Sequence, residues 1–272
     1  MTHRLRYAST LVILFLTTAL DSSGQVPWDF AYPDEKEDSI SALSIKPVPK
    51  PEKLLKQIIR RLRLDLEQKH KARKYKVEAT FWQEALVPFS FGCTLSAEAG
   101  VGLNKVELGE LWYEGPYELN NQDTIQLRAF LYQFANLSPI HAHKTYSERS
   151  LANSPLLKYR DTKDNYNVSA YTISDETGRG VHRFQFAWKK GHSMDFNWEF
   201  HTGEISGTAY FDGLTLRLTQ FKGEAFLPSG YETRLRYQVD YYEKSGTPIL
   251  KQIKIMGRKD DMIMQATVKP SL

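Results

Sequence analysis

The sequence predicts an α+β protein that is mostly antiparallel β, its sheet curved or open as a half-barrel and covered by one or two helices. Three observations carry this. Residues 182–268 alternate apolar and polar side chains with period two, broken by turns that contain glycine. One apolar stripe at helical spacing, Leu54, Leu55, Ile58, Ile59, Leu62 and Leu66, precedes them. Each strand has one apolar and one polar face, so the sheet covers a core on one side only.

The N-terminus has the pattern of a secretory signal. His3, Arg4 and Arg6 precede the apolar run Leu11 to Leu20, and the small residues Ser22 and Gly24 allow cleavage before Gln25. Residues 1–24 are therefore expected to be a signal peptide. The apolar run is too short to anchor the chain across a bilayer, and no later segment is longer, so no transmembrane segment is expected in the mature chain. Loss of Arg4, Arg6 and Asp21 takes the formal net charge from +4 to +3, too little to point to nucleic acid. Cys93 is the only cysteine, so an internal disulfide is excluded and a chain of 272 residues must be held by its core. Cys93 does not follow the signal's apolar run, so no lipid-attachment site is expected there, and an exported chain with a single cysteine suits a bacterial periplasm better than an animal secretory pathway.

Residues 25–50 read as a linker, acidic at Asp29, Asp34, Glu35, Glu37 and Asp38 and stiffened near its exit by Pro47 and Pro49. Residues 51–272 form a single β-rich domain. Its helix at 52–68 opens with Pro51, suited to a first turn, and Glu52, which complements the helix dipole. Its other face is basic, with Lys53, Lys56, Arg60, Arg61 and Arg63, a face open to solvent, anionic lipid or a polyanion. Tyr75, Val77, Ala79 and Phe81 begin the strands. Residues 86–112 hold further short strands interrupted by glycine. Residues 123–136 read as a helix with Ile125, Leu127, Phe130, Leu131 and Phe134 on one side, and 137–163 as loop.

Further on, His182, Phe184, Phe186 and Trp188 share a strand face, as do Met194, Phe196, Trp198 and Phe200. Asp212-Gly213 predicts a two-residue hairpin turn that pairs Phe211 with Leu214 and Ala209 with Leu216. Tyr231 to Tyr241 continue the alternation, and Ser245-Gly246 turns the chain toward Ile249, Lys251, Ile253 and Ile255. Met262, Met264, Ala266 and Val268 form the last strand.

Catalytic and metal patterns are not found in the sequence. There is no H-E-x-x-H and no paired-cysteine spacing, and His141-Ala142-His143 lacks a third ligand, so no metal and no cofactor are expected. Gly100-Val101-Gly102 lacks the remainder of a nucleotide loop. Gly191-His192-Ser193-Met194-Asp195 has Asp195 where a nucleophile elbow needs glycine. Asp195 and Glu199 lie roughly 13 Å apart on a regular strand, against about 5–10 Å for a glycosidase pair. Cys93 has no basic neighbour in sequence and reads as a buried structural thiol. The chain is expected not to be an enzyme.

Pro51-Glu52-Lys53-Leu54-Leu55 at the head of an amphipathic helix, followed by the strand Tyr75 to Ala85, resembles the start of a group of exported proteins of Bacteroides-type bacteria. That group is associated with carboxypeptidase-regulatory-like domains. Residues 203–212, GEISGTAYFD, and 214–222, LTLRLTQFK, resemble that group's hairpin and one in periplasmic lipoprotein carriers of the LolA type. The likeness spans about residues 51–257. It implies a LolA-like half-barrel that cups helices and an acyl chain, with no catalytic residues. This chain lacks the regulatory-like domain and the lipid-attachment cysteine.

Three readings follow. The first is a non-enzymatic periplasmic protein holding a lipid or other apolar ligand on Phe184, Phe186, Trp188, Phe196, Trp198, Phe200 and Phe211; a dry core packed on the 52–68 helix is the alternative fate of these rings. The second is an envelope interaction module that docks on an outer-membrane protein through strand edges or the basic helix. The third is a carbohydrate-active β-sandwich enzyme using Asp195 and Glu199.

Overall fold

The structure, a computed structural model, describes residues 44–68, 70–83, 86–136, 156, 159–174, 179–189, 205–226, 234–259 and 262–271. Eleven strands form one sheet. They are β1 (Ser44–Pro47), β2 (Ala72–Gln83), β3 (Leu86–Ala99), β4 (Leu103–Glu114), β5 (Tyr166–Ser174) and β6 (Gly180–Trp188). The chain continues through β7 (Ile205–Asp212), β8 (Leu218–Phe226), β9 (Arg234–Lys244), β10 (Thr247–Lys259) and β11 (Met262–Pro270). Three helices are described: α1 (Pro51–Glu67), α2 (Asn121–Asn136) and α3 (Tyr159–Asn165). The spatial order β1-β5-β6-β7-β8-β9-β10-β11-β2-β3-β4 leaves β1 and β4 as unpaired edges, so the sheet is open. All neighbours are antiparallel. The expected class, an open, mostly antiparallel sheet with few helices, is the one observed.

Registers align the apolar positions into rows that cross the sheet. One row runs Ala170, Phe184, Ala209, Phe221, Val239, Ile253, Val268, Val77, Cys93 and Leu111 through directly opposed partners from β5 to β4. The next runs Val168, Phe186, Gly207, Gly223, Tyr237, Ile255, Ala266, Ala79, Phe91 and Tyr113. Because side chains alternate with period two, every such row lies on one face. The opposite face is polar. There Asp240 accepts hydrogen bonds from the amides of Gln220 (2.9 Å), Gln238 (2.9 Å) and Gln252 (2.7 Å) across three adjacent strands.

Main-chain contacts show that the sheet bends. On a flat sheet β10 and β3, separated by β11 and β2, would stand roughly 14 Å apart. Instead Leu250 N–H donates to the Gly100 carbonyl at 2.8 Å, and the Tyr75 hydroxyl donates across β11 to the Leu250 carbonyl at 3.1 Å. The β3–β4 turn has closed onto β10. A shift of register between Leu250 and Gln252 permits this, placing both Ile249 and Leu250 in the core and Lys251 outside.

The two long helices divide the inner face. α1 begins beside β5 and α3 and ends at the β9–β10 turn, where Arg61 and Gln68 make contacts. Leu55, Ile58, Ile59 and Leu62 are its fully buried apolar residues, and Leu54 and Leu66 flank them. α2 packs across β4, β3, β2, β11 and β10 with Leu127, Phe130, Leu131 and Phe134 buried. Its start is set by a reciprocal cap. Asp123 N–H donates to Asn120 Oδ1 (2.9 Å), and Asn120 N–H donates to Asp123 Oδ2 (3.1 Å).

Several expectations are corrected. Asp212-Gly213 is no two-residue turn. Asp212 Oδ1 accepts from Leu214 N–H (3.0 Å), Thr215 N–H (2.7 Å) and Thr215 Oγ1 (2.9 Å), which winds a longer loop. Phe211 consequently opposes Leu218, and Leu214 is 85% exposed. Ile125 is 67% exposed, on the solvent side of α2. Residues 86–114 form two long strands, bent at register shifts. Ser44–Pro47, within the presumed linker, is an edge strand paired with β5, and α3 lies within the presumed loop. The Ser245-Gly246 turn is as expected, with φ of 50° and 79°. Residues 1–43, His141, His143 and residues 190–204 lie outside the described residues.

Gly223 lies where rings crowd the inner face. A Cβ there would stand 2.6 Å from ring atoms of both Phe221 and Tyr237, whereas at Gly180 the nearest atom would be 3.4 Å away. Gly223→Val is expected to cost about 1–3 kcal/mol through overpacking, and Gly180→Ala to stay within about 0.5 kcal/mol. Urea unfolding of the two variants measures both.

Candidate functional site: the apolar inner face and its polar end

The inner face carries two aromatic groups. In the first, the Phe184 and Phe211 rings meet edge to face at 5.8 Å, Phe184 and Phe186 stack at 6.3 Å, and Tyr166 meets Phe186 edge to face at 6.3 Å. Three of the expected ligand-binding residues, Phe184, Phe186 and Phe211, are therefore brought together by β6 and β7. They are fully buried, touching one another and small neighbours such as Ala170 and Ala209. Trp188 continues the same strand opposite Tyr166; its side chain, with Phe196, Trp198 and Phe200, lies outside the described residues.

The second group was missed by the sequence reading. Phe81 stacks with Phe89 at 5.0 Å and with Phe91 at 5.8 Å, and Tyr113 tilts against Phe89 at 6.2 Å. The alternation Phe89, Phe91, Cys93, Leu95 was available, but register shifts along β4 hide its partner's period. Cys93 sits in this row fully buried, and desolvation raises its thiol pKa. It is the inert buried thiol that was expected.

One end of the inner face is charged. Asp65, on α1, is 0% exposed, and neither carboxylate oxygen accepts a hydrogen bond within the described residues. Its nearest charge is Arg61, with Nη2 at 3.4 Å from Oδ1. Arg217 and Glu243, themselves paired at 2.7 Å, and His70 complete its electrostatic surroundings. Arg61 also reaches the Gly246 carbonyl at 3.5 Å, and the Thr247 hydroxyl donates to Gln68 Oε1. These contacts hold the last turn of α1 against the β9–β10 turn. Helical spacing could have placed Asp65 here, since it lies three residues after Leu62 and seven after Ile58.

Two effects oppose each other at Asp65. Burial disfavours the carboxylate, and Arg61, followed by Arg217, favours it; burial is the larger, so the pKa is raised above 3.8. Burial also pushes the Tyr75 hydroxyl up to about 12. Among the described residues no group of three or more His, Cys, Asp or Glu side chains is placed to hold a metal ion, and no helix is long and apolar enough to cross a membrane.

No protein-family profile matches the chain, and no curated protein matches it. Two solved structures are similar in outline. A DUF1329 family protein from Desulfovibrio piger is 10% identical, with 84% of this chain and 94% of that chain covered and a TM-score of 0.30. A LolA superfamily protein from Nitrosomonas europaea is 9% identical, with 80% and 94% covered and a TM-score of 0.31. Scores this low carry no functional argument, and the open sheet is read from this chain's own strand pairing.

Because the folded-state pKa of Asp65 is raised, its protonated form favours folding. That contribution is complete below about pH 4 and is lost as pH rises through the raised value. Asp65→Asn removes the penalty carried at neutral pH. The Tm of the variant minus that of the wild type should be larger at pH 7 than at pH 4. Thermal melts across this range check the sign; a difference that grows toward acid would mean that the arginines outweigh burial.

Proposed function

We propose that the protein is an exported, periplasmic, non-enzymatic carrier that takes a lipid or another apolar ligand onto the inner face of its sheet. The observation that carries this reading is a continuous apolar face spanning ten strands of a sheet that does not close. The apolar stripe of α1 is buried in the same core, and the helix is fixed at its ends through side-chain contacts. Tyr159 donates to Glu52 (2.7 Å) and Lys56 lies over the Tyr159 ring at the start, and the Arg61 and Gln68 contacts lie at the finish. In this reading a ligand replaces α1 and lies on Phe184, Phe186 and Phe211, and the same role is assigned to Trp188, Phe196, Trp198 and Phe200. The rings are packed when the ligand is not there, so binding exchanges one apolar neighbour for another. Export rests on the N-terminal pattern.

The purified mature protein should bind an environment-sensitive acyl probe saturably, with a blue shift that a phospholipid reverses by competition. Mass spectrometry of an organic extract should then find lipid in amounts comparable to the protein. A titration that never saturates removes the carrier reading.

A further inference from the structure

Charge is distributed unevenly in this chain. Residues 44–68 hold seven Lys and Arg against three Asp and Glu, so this stretch alone equals the formal net charge of +4 for the whole chain. One of those acids, Asp65, is buried and absent from the surface. On α1 the exposed side chains include Lys53, Lys56, Arg60 and Arg63, while the apolar stripe faces the sheet. Lys46 and Lys50 lead into the helix exposed. Glu52 and Glu67 are the exposed acids of α1, and in α3 Asp161 and Asp164 balance Arg160 and Lys163, so the positive stripe belongs to α1 and the residues that lead into it. Within the basic stripe, Leu64 is 57% exposed.

We propose that the outer face of α1 docks the protein on an anionic lipid bilayer. A positive stripe is attracted by the negative surface potential of such a leaflet, and each Lys or Arg near the surface adds to the attraction. Leu64 favours a bilayer over a soluble polyanion, because an aliphatic side chain at the interface gains by entering the headgroup boundary and gains nothing from a phosphate chain. The inner face of α1 remains on the sheet, so docking requires no rearrangement. The proposal rests on charge and exposure alone and does not depend on the carrier reading.

Vesicle flotation with the full mature chain tests it. The protein should float with vesicles of phosphatidylethanolamine and phosphatidylglycerol at three to one and not with phosphatidylcholine alone. Binding should weaken as salt shortens the Debye length from about 10 Å at 0.1 M toward about 3 Å at 1 M. The double variant Lys53→Glu, Arg60→Glu should lower the partition coefficient about tenfold or more, with an unchanged circular dichroism spectrum and acyl-probe titration. Leu64→Ser should lower it further than it lowers retention on heparin. Flotation with neither vesicle, equal flotation with both, or binding that the double variant retains would each overturn the proposal. So would heparin retention that exceeds vesicle binding and is indifferent to Leu64.

Discussion

One-sided burial is the constraint from which the rest of this structure follows. Ten of the eleven antiparallel strands carry the apolar rows on the same face, and water must be kept from all of it. A flat sheet of that width would be close to 50 Å across. Two helices of 17 and 16 residues are about 25 Å long each, and bending brings the face within their reach. Bending also crowds the inner side chains, because they converge as the sheet curls. The rows relieve this by setting small residues beside large ones. Phe184 lies between Ala170 and Ala209, Phe221 follows Ala209, and the Gly207–Gly223 pair makes room for the rings of Phe221 and Tyr237. Curvature and composition are thus two expressions of the same packing requirement.

What the sequence reveals is what period alone determines. Tyr75 to Phe81, Phe184 and Phe186, and Met264 to Val268 keep strict alternation, and all face inward. The stripe of α1 is likewise legible from spacing. Legibility fails where a side chain competes with the backbone for hydrogen bonds. Asp212 gives one oxygen to three donors and so unseats the tight turn its Gly213 neighbour suggests. It fails again at register shifts, which break the period of β4, and at β1, too short to show a period. Ile125 follows the helical pattern only loosely, and the capped first turn of α2 directs it to solvent. The aromatic candidates on β6 and β7 were visible as a face. Their packing on one another was not, because it depends on which strands become neighbours.

Asp65 is a fully buried carboxylate at the edge of this apolar packing, and its position explains why it is tolerated. Its electrostatic neighbours are Arg217, from the β7–β8 loop, and Glu243, near the end of β9. A buried carboxylate without hydrogen bonds is costly, and apolar residues at this point would bury more cheaply. The charge sets the helix in register instead. The placement of α1 that brings Asp65 near Arg217 also brings Gln68 to Thr247. An apolar stripe by itself permits sliding, and a single polar position forbids it.

The energetics of uncovering the inner face favour exchange over simple opening. Exposing Leu55, Ile58, Ile59 and Leu62 to water would cost about 1.5–3 kcal/mol each, roughly 6–12 kcal/mol together. The face beneath them would be exposed as well. Such a state is rare in water, which is why α1 seals the sheet despite having few polar fastenings. An acyl chain of some fifteen methylenes gains about 0.8 kcal/mol for each one buried, roughly 12 kcal/mol in all. The two quantities are of the same size. A lipid that takes the place of α1 on the sheet therefore offsets the loss of helix contacts without needing a hollow prepared beforehand, so an apolar face that is packed in the absence of ligand remains compatible with carriage of one.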